Sequence, residues 1–149
     1  MRLWRLGDEG LISLSNLQTD EPSTWVSMLA VGQLLDGQAV AVTGRFDGMV
    51  QLWRLGDDRL IPVGPPQSGH GDSDVRAVAV GQLRGRPVAV TGGEDGTVAL
   101  LHLGHHGLAS VAIARIPIDS PVVSVTILLT GTVLVWCRDG ALTAEMRNP

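Results

Sequence analysis

Short runs of alternating apolar and polar residues fill most of the chain, and each run ends at Gly or at an Asp-Gly pair. Alternation with a period of two, rich in β-branched residues and bounded by turn residues, is typical of strands. We predict strands at 25–31, 38–43, 48–54 and 59–63, at 75–81, 87–91, 97–102 and 108–114, and at 121–127, 132–137 and 140–146, with two more at 1–5 and 11–15. The pattern therefore predicts an all-β fold.

The strand pattern repeats with a period of about 48–49 residues. Val-Gly-Gln-Leu at 31–34 returns at 80–83, Ala-Val-Thr-Gly at 41–44 returns at 89–92, Asp-Gly at 47–48 returns at 95–96, and Trp-Arg-Leu-Gly at 53–56 has an earlier copy at 4–7. Four-stranded antiparallel units of this length bury their faces by stacking as β-propeller blades.

We predict about three blades in an incomplete ring, within a single partial propeller over 1–149. Its predicted parts are a half blade at 1–17, four-stranded blades at 23–64 and 70–115, and a three-stranded blade at 120–147.

The repeat resembles the WD-repeat β-propellers, and the second unit is the most similar to them. Gly-His at 69–70 lies where that family has its Gly-His pair, and Thr-Gly-Gly-Glu-Asp-Gly-Thr-Val at 91–98 is similar to the family's Ser-Gly-x-Asp-Asp-Gly-Thr-x stretch. Trp53 and Trp4 occupy the family's Trp position in other units. The resemblance covers nearly the whole chain.

In that family a His, a Ser or Thr of the second strand, the turn Asp and the Trp form a buried hydrogen-bonded set. The resemblance implies such a set of His70, Thr91 and Asp95 in the second unit. Leu101 replaces the Trp there, and His102 replaces the Asp that follows it. The first unit has Thr43, Asp47 and Trp53 but no preceding Gly-His pair, and the third unit has only Asp139.

Charge and apolar content exclude several function classes. The net charge is −4, the sequence pI is about 5.4, and the basic residues are scattered Arg without any Lys, so we expect no nucleic-acid binding. The longest apolar runs, such as 39–42 and 133–136, are far shorter than the roughly 18 residues that span a bilayer. With no signal-peptide pattern, a cytoplasmic protein is expected. The use of Arg without Lys, and the absence of Tyr, indicate a GC-rich genome of the bacterial type.

The residues offer little for catalysis or for a cofactor. Cys137 is the only cysteine, and the adjacent His102, His105 and His106 have no Cys or carboxylate at ligand spacing, so we expect no metal. His70 with Asp95 as a general base is the catalytic alternative to their structural role. The chain has no Gly-x-Ser-x-Gly motif, no Lys for a P-loop and no complete calcium loop. We expect neither enzyme activity nor a cofactor.

Loops at one end of the predicted blades carry the candidate contacts for a protein partner, because a rigid scaffold holds such loops in place. The candidates are Trp25, Arg45, Phe46, Asp74, Arg76 and Glu94. The resemblance implies a non-catalytic scaffold or sensor module that binds other proteins. The alternatives are a propeller that binds a sugar or another small molecule, and a remnant of a larger multidomain WD-repeat protein.

Self-association is a further expectation. Three blades are fewer than the four to eight of a closed ring, so two copies are expected to complete a six-bladed propeller as a homodimer. The strand predicted at 11–15 is a candidate to add to the three-stranded blade by β-augmentation.

Overall fold

The computed structural model describes residues 2–16, 26–57, 59–115, 120–128 and 130–145, and these residues form thirteen strands. A hairpin consists of β1 (Arg2–Gly7) and β2 (Gly10–Asn16), and the first sheet consists of β3 (Val26–Gln33), β4 (Ala39–Arg45), β5 (Met49–Leu55) and β6 (Leu60–Ser68). The second sheet consists of β7 (Val75–Leu83), β8 (Arg86–Gly93), β9 (Thr97–Gly104) and β10 (Gly107–Arg115), and the third sheet of β11 (Val122–Ile127), β12 (Thr132–Cys137) and β13 (Gly140–Glu145).

Every sheet is an antiparallel meander in which consecutive strands pair. The first and second sheets have four strands each, and the third sheet has three among the residues described. The prediction of an all-β fold built from propeller-like blades is confirmed. The described sheets do not close a ring.

The outer strand of the first sheet, β6, runs to Ser68, so the predicted end at residue 63 is wrong. Pro65 and Pro66, which lack an N–H donor, lie in the part of the strand that the prediction left out. The strand bulges there: Val63 pairs with Leu52, and pairing resumes at Gln67 opposite Val50. Proline is tolerated at such an edge because no further strand needs its donor.

The second sheet is buried on both faces, because successive side chains of a strand point to opposite sides. On β8, Val88 and Val90 point toward the third sheet, whereas Ala89 points toward the first sheet. On β9, Leu100 points toward the third sheet and Leu101 points toward the first sheet. The core facing the third sheet contains Ala77, Leu83, Val88, Val90, Val98, Leu100, Val122, Val125, Val133, Val135 and Cys137. The core facing the first sheet contains Leu34, Val40, Val42, Val50, Leu52, Val75, Ala89, Ala99, Leu101, Leu103 and Leu108.

The outward faces of the first and third sheets are not covered by a described sheet. Leu29 and Val31 on the first sheet are 51% and 65% exposed. Val123 and Trp136 on the third sheet are 51% and 54% exposed. Both ends of the stack therefore present large apolar side chains to solvent.

No helix among the described ranges has the length and apolar character needed to cross a membrane.

Candidate functional site

Three connections meet at one end of the first and second sheets, which we call the loop end. They are the β4–β5 turn at 45–48, the β6–β7 loop at 69–74 and the β8–β9 turn at 93–96. The two turns are built alike because their Asp-Gly sequences repeat. Asp47 Oδ1 accepts the Met49 N–H at 3.2 Å, and Asp95 Oδ1 accepts the Thr97 N–H at 3.1 Å.

Backbone contacts hold these connections together. The Gly69 N–H donates to the Gly48 carbonyl at 3.2 Å, and the Glu94 N–H donates to the Asp74 carbonyl at 2.9 Å. Gly48 has φ +81°, and a Cβ there would lie 2.8 Å from the Ser73 carbonyl oxygen. The turn after β4 thus fits closely under the β6–β7 loop. The loop end is a fixed surface.

His70 links the β6–β7 loop to the second sheet through both ring nitrogens. Its Nε2 lies 2.8 Å from Thr91 Oγ1, and its Nδ1 lies 2.7 Å from Thr97 Oγ1. The Thr97 hydroxyl donates to Asp95 Oδ1 at 2.7 Å, whereas His70 Nδ1 lies 3.7 Å from that oxygen. Thr97 therefore bridges the histidine and the carboxylate. His70 and Thr91 are 4% and 0% exposed.

This network fixes the tautomer of the neutral His70 ring. The Thr97 hydroxyl has one proton, which it gives to the Asp95 carboxylate, so it accepts from an Nδ1–H of His70. Nε2 is then unprotonated and accepts the Thr91 hydroxyl proton. Burial lowers the pKa of His70 below its ordinary value, and the Asp95 carboxylate offsets part of that effect. At neutral pH the ring is therefore uncharged, with its proton on Nδ1.

The structure brings together the predicted His70, Thr91 and Asp95, and adds two residues that the sequence analysis did not assign to the set. Thr97 is the bridge. Gly93 provides the space, since a Cβ there would lie 2.6 Å from His70 Nδ1 and 2.5 Å from Asp95 Oδ1. The Asp-Gly-Thr sequence of the turn was the available signal, because Asp commonly accepts the N–H two residues further on.

The first sheet has a different bond at the corresponding threonine. The Trp53 Nε1–H donates to Thr43 Oγ1 at 2.9 Å. Thr91 bonds to His70 instead, and Leu101 takes the place of the tryptophan. Asp47 pairs with Arg45. The first sheet therefore has the tryptophan–threonine bond without a histidine, and the second sheet has the histidine–threonine–aspartate network without a tryptophan.

The predicted partner-binding residues lie at or beside the loop end. Arg76 Nε lies 2.7 Å from Glu94 Oε2, and Arg76 Nη2 lies 3.4 Å from Asp74 Oδ2. Arg45 pairs with Asp47, and Phe46 between them is 44% exposed. The remaining candidate, Trp25, lies outside the described residues.

The other histidines lie at the opposite end of the sheets. His105 Nε2 is 3.5 Å from Asp36 Oδ2, an ion pair between the β9–β10 and β3–β4 turns when the imidazole is protonated. Over the described ranges, no group of three or more His, Cys, Asp or Glu side chains is arranged to hold a metal ion. Cys137 is fully buried, and burial, together with Asp139, raises the pKa of its thiol. The Cys137 thiol is therefore protonated and enclosed.

No protein-family model matches this chain, and no curated protein matches its sequence. The resemblance to WD repeats stays a prediction.

Proposed function

We propose that this chain is a non-catalytic module of the WD-repeat kind that binds another protein through its loop end. The observation that carries the proposal is the fixed backbone at this end beside an exposed aromatic side chain, Phe46. Aromatic residues are enriched in protein interfaces, and rigid loops lose little entropy on binding. The buried His70 network supports these loops from beneath, which is a structural role.

The charge of the loop end favours a basic partner. Its carboxylates outnumber the guanidinium groups, which are Arg45 within the loop end and Arg76 beside it in β7. The carboxylates are those of Asp47, Asp72, Asp74, Glu94 and Asp95. Arg76 is held between Asp74 and Glu94, so it neutralises only part of that charge. A basic segment bearing Arg or Lys complements this surface and would bind more weakly at high salt.

The proposal is tested by affinity capture and then by titration with the purified captured protein. We expect Phe46→Ala and Glu94→Lys each to weaken binding at least tenfold while leaving the melting temperature close to that of the natural chain. Arg86→Ala, at the opposite end of the second sheet, is the control and should bind normally. Equal affinity in all variants would refute the proposed surface.

A groove at the opposite end favours small-molecule binding as a second candidate function. It encloses about 260 Å³ and is lined on one side by Leu34 and Leu35, and on the other by Arg86 and His102. A guanidinium and an imidazole beside apolar side chains suit an anionic or hydroxylated ligand. Calorimetry with glucose and with inorganic phosphate tests this candidate. Arg86→Ala, which should leave partner binding at the loop end unchanged, should abolish any heat of binding in the groove.

A further inference from the structure

Both joints between neighbouring sheets use the same arrangement of a glycine and a β-branched residue. In the first joint a Cβ at Gly44 would lie 2.7 Å from the Cβ of Val75. In the second joint a Cβ at Gly92 would lie 2.7 Å from the Cβ of Val122. Real Cβ atoms do not approach so closely, so the glycine is what allows the next sheet to reach its position. We call Gly44 and Gly92 the inner receiving glycines.

A second glycine in each joint receives a second side chain of the next sheet. A Cβ at Gly32 would lie 3.2 Å from the Cβ of Val80, and a Cβ at Gly81 would lie 3.2 Å from the Cβ of Ile127. We call Gly32 and Gly81 the outer receiving glycines. Each sheet that accepts a neighbour thus has one receiving glycine on its first strand and one on its second.

The third sheet has bulky residues at both corresponding positions. Just after the first-strand bulge, Gly44 pairs with Met28 and Gly92 pairs with Ala77, while Trp136 occupies that position opposite Ser124. Four residues beyond Ser124, where the other sheets have their outer receiving glycine, the third sheet has Leu128. Trp136 and Leu128 are 54% and 41% exposed.

We infer that the outward face of the third sheet is closed to a second copy of this chain: Trp136 and Leu128 keep it from accepting the first sheet of that copy. A tryptophan occupies a position where even a Cβ is too close in the two existing joints. Head-to-tail contact between copies is therefore blocked at this face. The six-bladed homodimer expected from the sequence requires that contact twice, so this inference excludes it.

The other half of the joint is intact on the first sheet, which makes the inference testable. Val26 precedes the bulge of β3, as Val75 and Val122 do in β7 and β11. Val31 occupies the position of Val80 and is 65% exposed. Only the receiving side is obstructed. Removal of the obstruction should let one copy bind the next.

Disulfide trapping between copies tests this directly. In a head-to-tail contact Val31 of one copy would meet Leu128 of another, with a Cβ separation close to that of a disulfide. Val31→Cys with Leu128→Cys should give little intermolecular crosslink under oxidation while Trp136 is present. Adding Trp136→Gly should raise the crosslinked fraction at least tenfold, and adding Trp136→Phe, which keeps the bulk, should not. Equal crosslinking with and without Trp136, whether high or absent, would overturn the inference.

The natural chain provides a second measurement that does not depend on the folding of any glycine variant. The outward face of the first sheet should take no part in self-association. Val31→Asp should therefore leave the mass measured by sedimentation equilibrium equal to that of the natural chain. An oligomer of the natural chain that both Val31→Asp and Trp136→Asp dissociate would show that the third sheet accepts a copy, and would overturn the inference.

Discussion

Replacement of His70 by alanine tests whether the buried network holds the loop end in place. The imidazole accepts from Thr91 and donates to Thr97, and it spans two segments that are 27 residues apart in sequence at the Thr97 contact. Alanine removes both bonds. Thr97 keeps its bond to Asp95, whereas the fully buried Thr91 hydroxyl loses its partner across the joint.

The expected loss of stability comes from Thr91, because its buried hydroxyl is left without a partner while Thr97 keeps its bond to Asp95. Leaving a buried polar group unsatisfied costs about 1–3 kcal/mol, and the space left by the imidazole adds a cavity cost of about 1 kcal/mol, so we expect a total of about 2–4 kcal/mol. For a domain of this size each kcal/mol lowers the melting temperature by about 2–4 °C. The His70→Ala variant should therefore melt about 4–16 °C below the natural chain.

Circular dichroism melts of both proteins at neutral pH measure the difference. His106→Ala removes an exposed imidazole from the β9–β10 turn and is the matched control, which should melt with the natural chain. Partner affinity provides a second readout, and a folded His70→Ala protein should bind more weakly without losing binding, because the β6–β7 loop loses its link to the second sheet. An unchanged melting temperature in His70→Ala would refute the reasoning.

Further predictions concern pH, sheet spacing and the buried thiol. Stability should fall as the pH drops below the ordinary histidine pKa of about 6.5. The unfolded His70 then takes up a proton that the folded ring, with its lowered pKa, resists. If the melting temperature of His70→Gln falls between pH 7.5 and 5.5 as much as that of the natural chain, the result would count against this. Gly92→Ala should cost about 1–3 kcal/mol in urea unfolding because a Cβ there overlaps Val122, whereas Gly104→Ala, whose Cβ would lie 3.6 Å from the Gly107 carbonyl oxygen, is the control; equal midpoints would contradict the steric account. Cys137 should resist a thiol reagent at pH 8 in the folded protein and react once urea unfolds it, since its thiol is enclosed and its pKa is raised; rapid labelling of the folded protein would disprove this.

Strand positions were predictable because each strand is specified locally, by alternating side chains and by the turn residues that follow. The Asp-Gly turns at residues 47–48 and 95–96 illustrate this, since the carboxylate and the backbone amide it accepts are two residues apart. The course of β6 beyond residue 63 was not predictable, because it depends on contacts with the neighbouring strand β5. Gln51, opposite the bulge, donates from its side-chain amide to the Leu52 and Gly64 carbonyls. No periodicity in the sequence signals that contact.

The site divides in the same way. The resemblance implied His70, Thr91 and Asp95, but the bridging role of Thr97 depends on a 2.7 Å distance between the β6–β7 loop and the start of β9. The pairing of Arg76 with Glu94 likewise depends on how the β8–β9 turn sits beside β7. The contacts of Phe46 and its neighbours with a protein partner remain predictions, because partner choice is a property of two surfaces.

Burial of both faces of the second sheet has a consequence for how the molecule opens. The first and third sheets each contribute to one core, whereas β8 and β9 contribute to both. An end sheet can therefore detach while the remaining pair keeps its shared core, but loss of the second sheet removes both cores together. Backbone amides of β8 and β9 should exchange with deuterium only through global unfolding, and those of the end sheets through smaller local openings. The second sheet should then unfold as one cooperative unit, and the first and third sheets should open locally and independently of each other.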